Sequence, residues 1–442
     1  MVLTSALRQA STPATRAAGV RLVTLPISAG LALATAKIII DSYGLAAYGV
    51  FALVLAIPAL LPSKDLGLGA KVTDVVARRS VLGAAELEAM LAAALAKIAK
   101  LAGGAMVVVI VVQLAVGWHV LLGSAVRGVP DSAITAALAL FLLALPGGLS
   151  GSVLWGLRRN DLVALQAPIL TLSTCLGVAT TALLSLPLWV AIVLAMASNC
   201  MIQWATLYLV AGHIGIPRRA LFSVATRSAP QSFRAWAIPM FIITSASAVG
   251  YQTDRLVLSH ITRAIEVAQY SVAAQIFLPL WAIISSAGYT LWGKYALERD
   301  VGGVIAHRFW RTVAIFAAVG LAGAGVLTGL GPPAIRILLG VHVPWTLCGA
   351  FGLLLAFQAA GLPVGMLMTD RRGLKQQAIL FSVMVLVNVW LSIRWAHDMG
   401  AAGPVLASAV AYGCFVLVPS CILTRKHFLS QSGEHYERAL SS

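Results

Sequence analysis

Charge is scarce in this sequence. Asp, Glu, Lys and Arg make up 10% of the 442 residues, against about 25% in soluble domains. Hydrophobic residues make up 60%, with a mean hydropathy of +0.92. That leaves too little polar surface to cover a water-soluble fold, which is excluded. Cysteine is also sparse: Cys175, Cys200, Cys348, Cys414 and Cys421 all lie in apolar runs with no ligand-like spacing. Neither a disulfide framework nor a metal cluster follows from them. Enzyme signatures are missing: there is no phosphate-binding Gly-Lys-Ser/Thr loop, H-E-x-x-H, G-x-S-x-G or dinucleotide fingerprint. Without an ATP motif, any work must draw on an ion gradient, a substrate gradient or a partner, and no cofactor or metal is expected.

What is present is a succession of long apolar runs. A bilayer core about 30 Å thick takes roughly 20 residues of helix. Twelve windows qualify: 22–40, 45–62, 101–123, 133–155, 163–184, 187–210, 236–258, 267–290, 312–331, 346–368, 378–396 and 403–423. The fold expected is an all-α polytopic membrane protein of about twelve transmembrane helices in two six-helix halves. These are residues 1–210 and 236–424, with a cytoplasmic linker over 211–235 and a cytoplasmic tail over 425–442. A cleaved leader ending near Ala34-Thr35-Ala36 competes for the first run. The run continues through Ile38, Ile39 and Ile40 to a full bilayer length, which favours a retained helix. Residues 82–100, LGAAELEAMLAAALAKIAK, read as a helix that lies at the interface or extends the third span.

The net charge of +16 reflects topology. Lys37, Arg127, Arg255, Arg263, Arg336 and Arg394 lie on one side of the spans; the rest of the 31 lysines and arginines lie on the other. Positive loops stay in the cytoplasm, so both termini are cytoplasmic. The cations interleave with apolar runs and do not cluster with exposed aromatics, so no nucleic-acid partner is expected. Trp118, Trp155, Trp236, Trp292, Trp310 and Trp345 mark span ends, where indole rings favour the headgroup region.

The halves echo one another. Pro26 and Pro239, Asp41 and Asp254, and Arg158-Arg159 and Arg371-Arg372 all recur at a spacing of 213 residues. Six helices per half make the repeats parallel in topology, a design of secondary transporters with the substrate site between halves. Ionisable residues inside spans cost about 2.5–3.5 kcal/mol on insertion scales, so each needs a reason. Lys37 and Asp41, four apart on one helical face, either pair as a structural salt bridge or place Lys37 toward an anionic group. Asp254 and Arg255 follow Ser245, Ser247, Tyr251, Gln252 and Thr253 on a helix polar enough to line water or substrate. Asn199, Gln203, Gln275, Gln358 and Asn388 read as interhelical hydrogen-bonding groups. Gly323, Gly325 and Gly329 read as a close-packing face, and His119, His260, His342 and His397 make no ligand cluster.

Several segments resemble the polysaccharide flippases of the multidrug/oligosaccharidyl-lipid/polysaccharide exporter superfamily. GLAAYGVF (44–51) is similar to their G-x-x-x-Y-G-x-[FY] stretch, and KDLGLGAK (64–71) to their acidic-Leu-Gly segment. YQTDRLVLSH (251–260) with VAQYSVAAQ (267–275) resembles their seventh-to-eighth helix region, and GLRRND (156–161) their basic loop after the fourth helix. The resemblance implies two six-helix bundles in a bacterial inner membrane. It also implies flipping of a polyprenyl-pyrophosphate-linked oligosaccharide to the periplasmic leaflet for surface polysaccharide assembly. The partners implied are that lipid-linked substrate, the bilayer and the polysaccharide polymerase and chain-length proteins, with the transporter itself a monomer. Lys37, Arg255 and Gln252 are then the candidate substrate-binding residues, and Asp41 and Asp254 the candidate gating or ion-coupling groups. Three alternatives stay open: an ion-coupled drug exporter of the same superfamily, a twelve-helix facilitator of another superfamily and a membrane enzyme of polysaccharide assembly.

Overall fold

The structure, a computed structural model, describes residues 13–60, 68–77, 84–123, 126, 128–157, 159–214, 234–301, 305–426 and 428. The described residues form helices and connecting turns, with no strand among them. Arg158 and most of the 211–235 connector lie outside them. The chain divides into two compact units, Met1–Gln231 and Ser232–Ser442.

In the first unit the helices are α1 (Pro13–Tyr43), α2 (Leu45–Leu60), α3 (Leu68–Ala77), α4 (Ala84–Ala115), α5 (Trp118–Leu122), α6 (Asp131–Ala144), α7 (Leu149–Gly156), α8 (Asn160–Leu183) and α9 (Leu188–His213). In the second they are α10 (Arg234–Ile261), α11 (Ala264–Val301), α12 (Ala306–Leu339), α13 (Trp345–Leu367), α14 (Arg371–Met399) and α15 (Ala402–Tyr412). A π turn, Gly413–Leu417, carries α15 onward, so that its span runs to Lys426. Among the described residues, nine helices are each long and apolar enough to cross a bilayer, and the bent pair α6–α7 makes a tenth. The shorter apolar α2 and the more polar α10 complete the twelve spans.

Two expected spans differ in detail. The segment 82–100 joins the third span, because α4 is one helix from Ala84 to Ala115. It stops short of the expected 123 because Gly117 adopts φ +79, and the Val116 and Gly117 amides both bond to the Val112 carbonyl. The fourth span is broken: α6 and α7 meet at 42° through a 3-10 turn at Pro146–Gly148. Pro146 has no amide hydrogen to continue the α-helical ladder. Gly147 lets the break press on α9, where a Cβ would stand 2.9 Å from the Gln203 carbonyl carbon.

Each unit repeats the same internal pairings. The first span packs on the fifth (α1 with α8; α10 with α14), and the fourth on the sixth (α6 with α9; α13 with α15). The third packs on the fourth in both units (α4 with α6; α12 with α13). In the second unit α13 is the central helix, with 78% of its apolar window buried. Its close approach to α12 involves one of the glycines the sequence singled out, Gly323, together with two others, Gly320 and Gly352. A Cβ at Gly320 would lie 2.6 Å from Ala359, and one at Gly352 2.9 Å from the Thr328 hydroxyl. Gly323 meets Leu355, whereas Gly325 and Gly329 face open space. Leu114, Leu183 and Ile337 are 80%, 84% and 83% exposed, as suits side chains solvated by lipid tails.

Candidate functional site

A dense polar constellation among the described residues of the second unit is built around Asp254. Its carboxylate is 2% exposed and lies within the bundle, two helical turns before α10 ends at Ile261. The sequence alone put it near the outer end of its helix; the helix runs further and the side chain turns inward. Three neighbouring helices supply hydroxyls. Ser408 on α15 donates to Oδ2 at 3.1 Å, Tyr270 on α11 to Oδ2 at 3.3 Å, and Ser392 on α14 to Oδ1 at 3.4 Å. Asn388, one turn before Ser392, donates through Nδ2 to the Gly250 carbonyl at 2.7 Å. Its Oδ1 lies 3.2 Å from both serine hydroxyls. All four partners are 5% exposed or less.

Counting hydrogens shows what this arrangement lacks. Each hydroxyl carries one hydrogen. Ser392 and Ser408 each face two acceptors, Asp254 and Asn388. With Tyr270, three hydrogens are thus shared over five contacts, one for each of the three acceptor oxygens and none to spare. Two carboxylate oxygens, an amide oxygen and three hydroxyl oxygens thus converge with fewer hydrogens than contacts. An added proton on Asp254 or a small monovalent cation among these oxygens would complete the cage. Oxygen ligands of this kind suit hard cations. No group of three or more His, Cys, Asp and Glu side chains among the described residues could hold a metal ion.

Two features hold the cage in shape. Asn388 and Ser392 are four apart and share one face of α14. Glu266, in the first turn of α11, accepts from the Ala401 amide at 2.9 Å, just where α15 begins. Gly400, at φ +55, lets that carboxylate approach; a Cβ there would sit 2.8 Å from Oε2. The turn that launches Ser408 is therefore tied to the helix that carries Tyr270.

The other residues singled out by the sequence are arranged differently. Arg255 makes no ion pair with Asp254 among the described residues. Its guanidinium carbon stands 5.6 Å from the centre of the Tyr270 ring, and its buried Nε has no hydrogen-bond partner. Gln252 is half-buried and is not among the contacts of Asp254. Lys37 and Asp41 pair with each other at 2.9 Å on α1, with side chains 44% and 55% exposed. Tyr270, Ser392 and Ser408 were missed as site residues. A hydroxyl in a span usually bonds to its own helix, as Ser382 does to Ala378, and only the α14 spacing of Asn388 and Ser392 hinted otherwise.

The arrangement of spans in two internally similar bundles is one this chain shares with several solved membrane proteins. Among solved structures, the lipid II flippase MurJ in an inward closed conformation superposes with a TM-score of 0.66 at 14% identity, covering 92% of this chain and 87% of its own. An inward-facing multidrug resistance MATE transporter gives 0.64 at 14% identity, covering 93% and 99%. A transporter of the superfamily from Pyrococcus furiosus, whose binding pocket is described as reversed in polarity, gives 0.58 at 13% identity, covering 94% and 96%. No family model and no curated protein matches the sequence.

Proposed function

We propose that this chain is an ion-coupled transporter of the bacterial inner membrane. In this reading Asp254 binds and releases a proton or sodium ion as the protein alternates access. The observation that carries it is the buried, under-donated oxygen cage of Asp254, Asn388, Ser392, Ser408 and Tyr270. A carboxylate in hydrocarbon is costly enough to demand a role, and its hydrogen-bond partners are three hydroxyls, with no ion pair to it among the described residues.

For the cargo, the reading we favour is a polyprenyl-pyrophosphate-linked oligosaccharide, flipped outward for surface polysaccharide assembly. The short motifs around Tyr48, Asp65 and Asp254 support it, as does a fold shared with a lipid-linked-precursor flippase. Lys37 and Arg255 would contact the anionic pyrophosphate and Gln252 the sugar, with Asp41 acting as the partner that holds or releases Lys37. The shared fold with multidrug transporters supports a second reading, ion-coupled export of a small molecule.

Cells lacking the gene, and the same cells with it restored, separate the two. Flipping predicts loss of surface polysaccharide with polyprenyl-linked oligosaccharide accumulating inside, both reversed on restoration. Unchanged polysaccharide and lipid intermediates, with no second flippase present, would exclude this cargo. Proteoliposome assays of dye or drug efflux under a sodium or proton gradient would then be the next measurement.

A further inference from the structure

The second unit also contains a cavity of about 450 Å³ that the Asp254 cage does not use. Its volume falls in the range of about 300–1,000 Å³ usual for small-molecule sites. Trp281, Tyr289, Phe381 and Tyr412 provide ring walls, and no lining residue is charged. Three of the polar lining groups are already engaged with backbone carbonyls. Ser247 donates to Ile243, Thr369 to Met366, and Gln377 to Gly365 and Met368. Gln358 differs. It is 4% exposed, and its Oε1 has no hydrogen-bond partner, whereas buried amides are otherwise satisfied.

The backbone around the cavity is specialised as well. Gly361 and Gly365 leave α13 bare on this side; a Cβ at Gly361 would collide with the Tyr412 hydroxyl. The π turn Gly413–Leu417 follows Tyr412 directly and supplies Val416 and Leu417 to the wall. Such turns recur at functional sites because they re-aim side chains that an unbroken helix would point elsewhere.

We propose that this cavity binds a neutral, ring-bearing, largely apolar small molecule whose single polar group hydrogen-bonds to the Gln358 amide. Uncharged walls disfavour an ion, four rings favour aromatic stacking, and one unpartnered amide oxygen calls for one donor. The site goes beyond the transport reading and does not depend on it. Tyr412 lies one turn past Ser408, but none of the cavity-lining residues belongs to the oxygen cage.

The test uses the purified full-length protein in lipid nanodiscs and an alkylphenol bearing a photoreactive diazirine. Increasing unlabelled alkylphenol competes, and mass spectrometry maps the adducts. Saturable adducts on peptides containing Trp281, Tyr289 or Gln358 are expected. Gln358→Leu should weaken competition about three- to tenfold, the worth of one neutral hydrogen bond. Ser247→Phe should abolish saturable labelling by filling the space. Labelling that rises linearly with probe, as for lipid-facing residues, or that ignores both substitutions would overturn the proposal. Should Ser247→Phe fail to fold, wild-type melting decides. The alkylphenol should stabilise the protein more than its O-methyl ether, and equal or absent stabilisation would count against the site.

Discussion

Asp254→Asn keeps the size and one acceptor of the side chain but removes its charge. The substituted protein should insert and purify normally, since the amide still meets Ser392, Ser408 and Tyr270. It should lose ion-dependent behaviour. Wild-type protein is expected to melt at higher temperature in sodium than in potassium, or to shift its melting with pH, and Asp254→Asn to show neither dependence. Ser408→Ala is the milder probe. It removes one neutral donor, worth about 0.5–1.5 kcal/mol, so apparent ion affinity should fall about three- to tenfold while transport persists. A titration of the melting temperature against ion concentration reads both. At this scale the sequence was half informative. Asp254 stood out because a carboxylate in an apolar run needs a reason, whereas Ser392 and Ser408 look like any small residue of a packed span. Only tertiary contact separates a serine that closes a cage from one that bonds to its own helix.

At the level of elements, the tie between Glu266 and Ala401 should matter more than its outer position suggests. Glu266→Ala leaves the Ala401 amide without its acceptor, at a cost of about 1–3 kcal/mol. Hydrogen exchange should accelerate first over residues 400–404, where α15 begins. The α12–α13 seam offers a paired test. Gly352→Val drives side-chain atoms into the Thr328 hydroxyl and the Ala324 carbonyl and should destabilise by about 1–3 kcal/mol. Gly325→Ala, facing open space, should be neutral or slightly stabilising, and the two melting temperatures compare them directly. Apolar run lengths disclosed the helices themselves. They did not disclose the bend at Pro146, because a proline in a membrane span can sit in a straight or a broken helix, as Pro26 and Pro363 do in continuous ones. Nor did they reveal which glycines meet a neighbour, which depends on the face each presents. The π turn was equally hidden, since Gly413–Leu417 reads as ordinary helix.

For the molecule as a whole, the bias of basic residues and the even number of spans give a topology that fusions can check. Alkaline phosphatase joined after Ser185 or His342 should be active, and joined at the C-terminus inactive, with a C-terminal fluorescent protein bright. The repeat was legible at this scale through Asp41 and Asp254 and the paired arginines, and the repeated helix pairings carry the same duplication. The two bundles nevertheless differ where it counts. At the positions 213 residues before Asn388 and Ser392 stand Cys175 and Ala179, which offer no oxygen, and Asp41 is engaged with Lys37. With a cage of this kind in one bundle only among the described residues, the ion coupling proposed above would carry one monovalent cation per cycle. A membrane potential contributes about 2.3 kcal/mol per charge per 100 mV. On that proposal, the cation's electrical share would sustain a cargo gradient of about fifty-fold at that voltage.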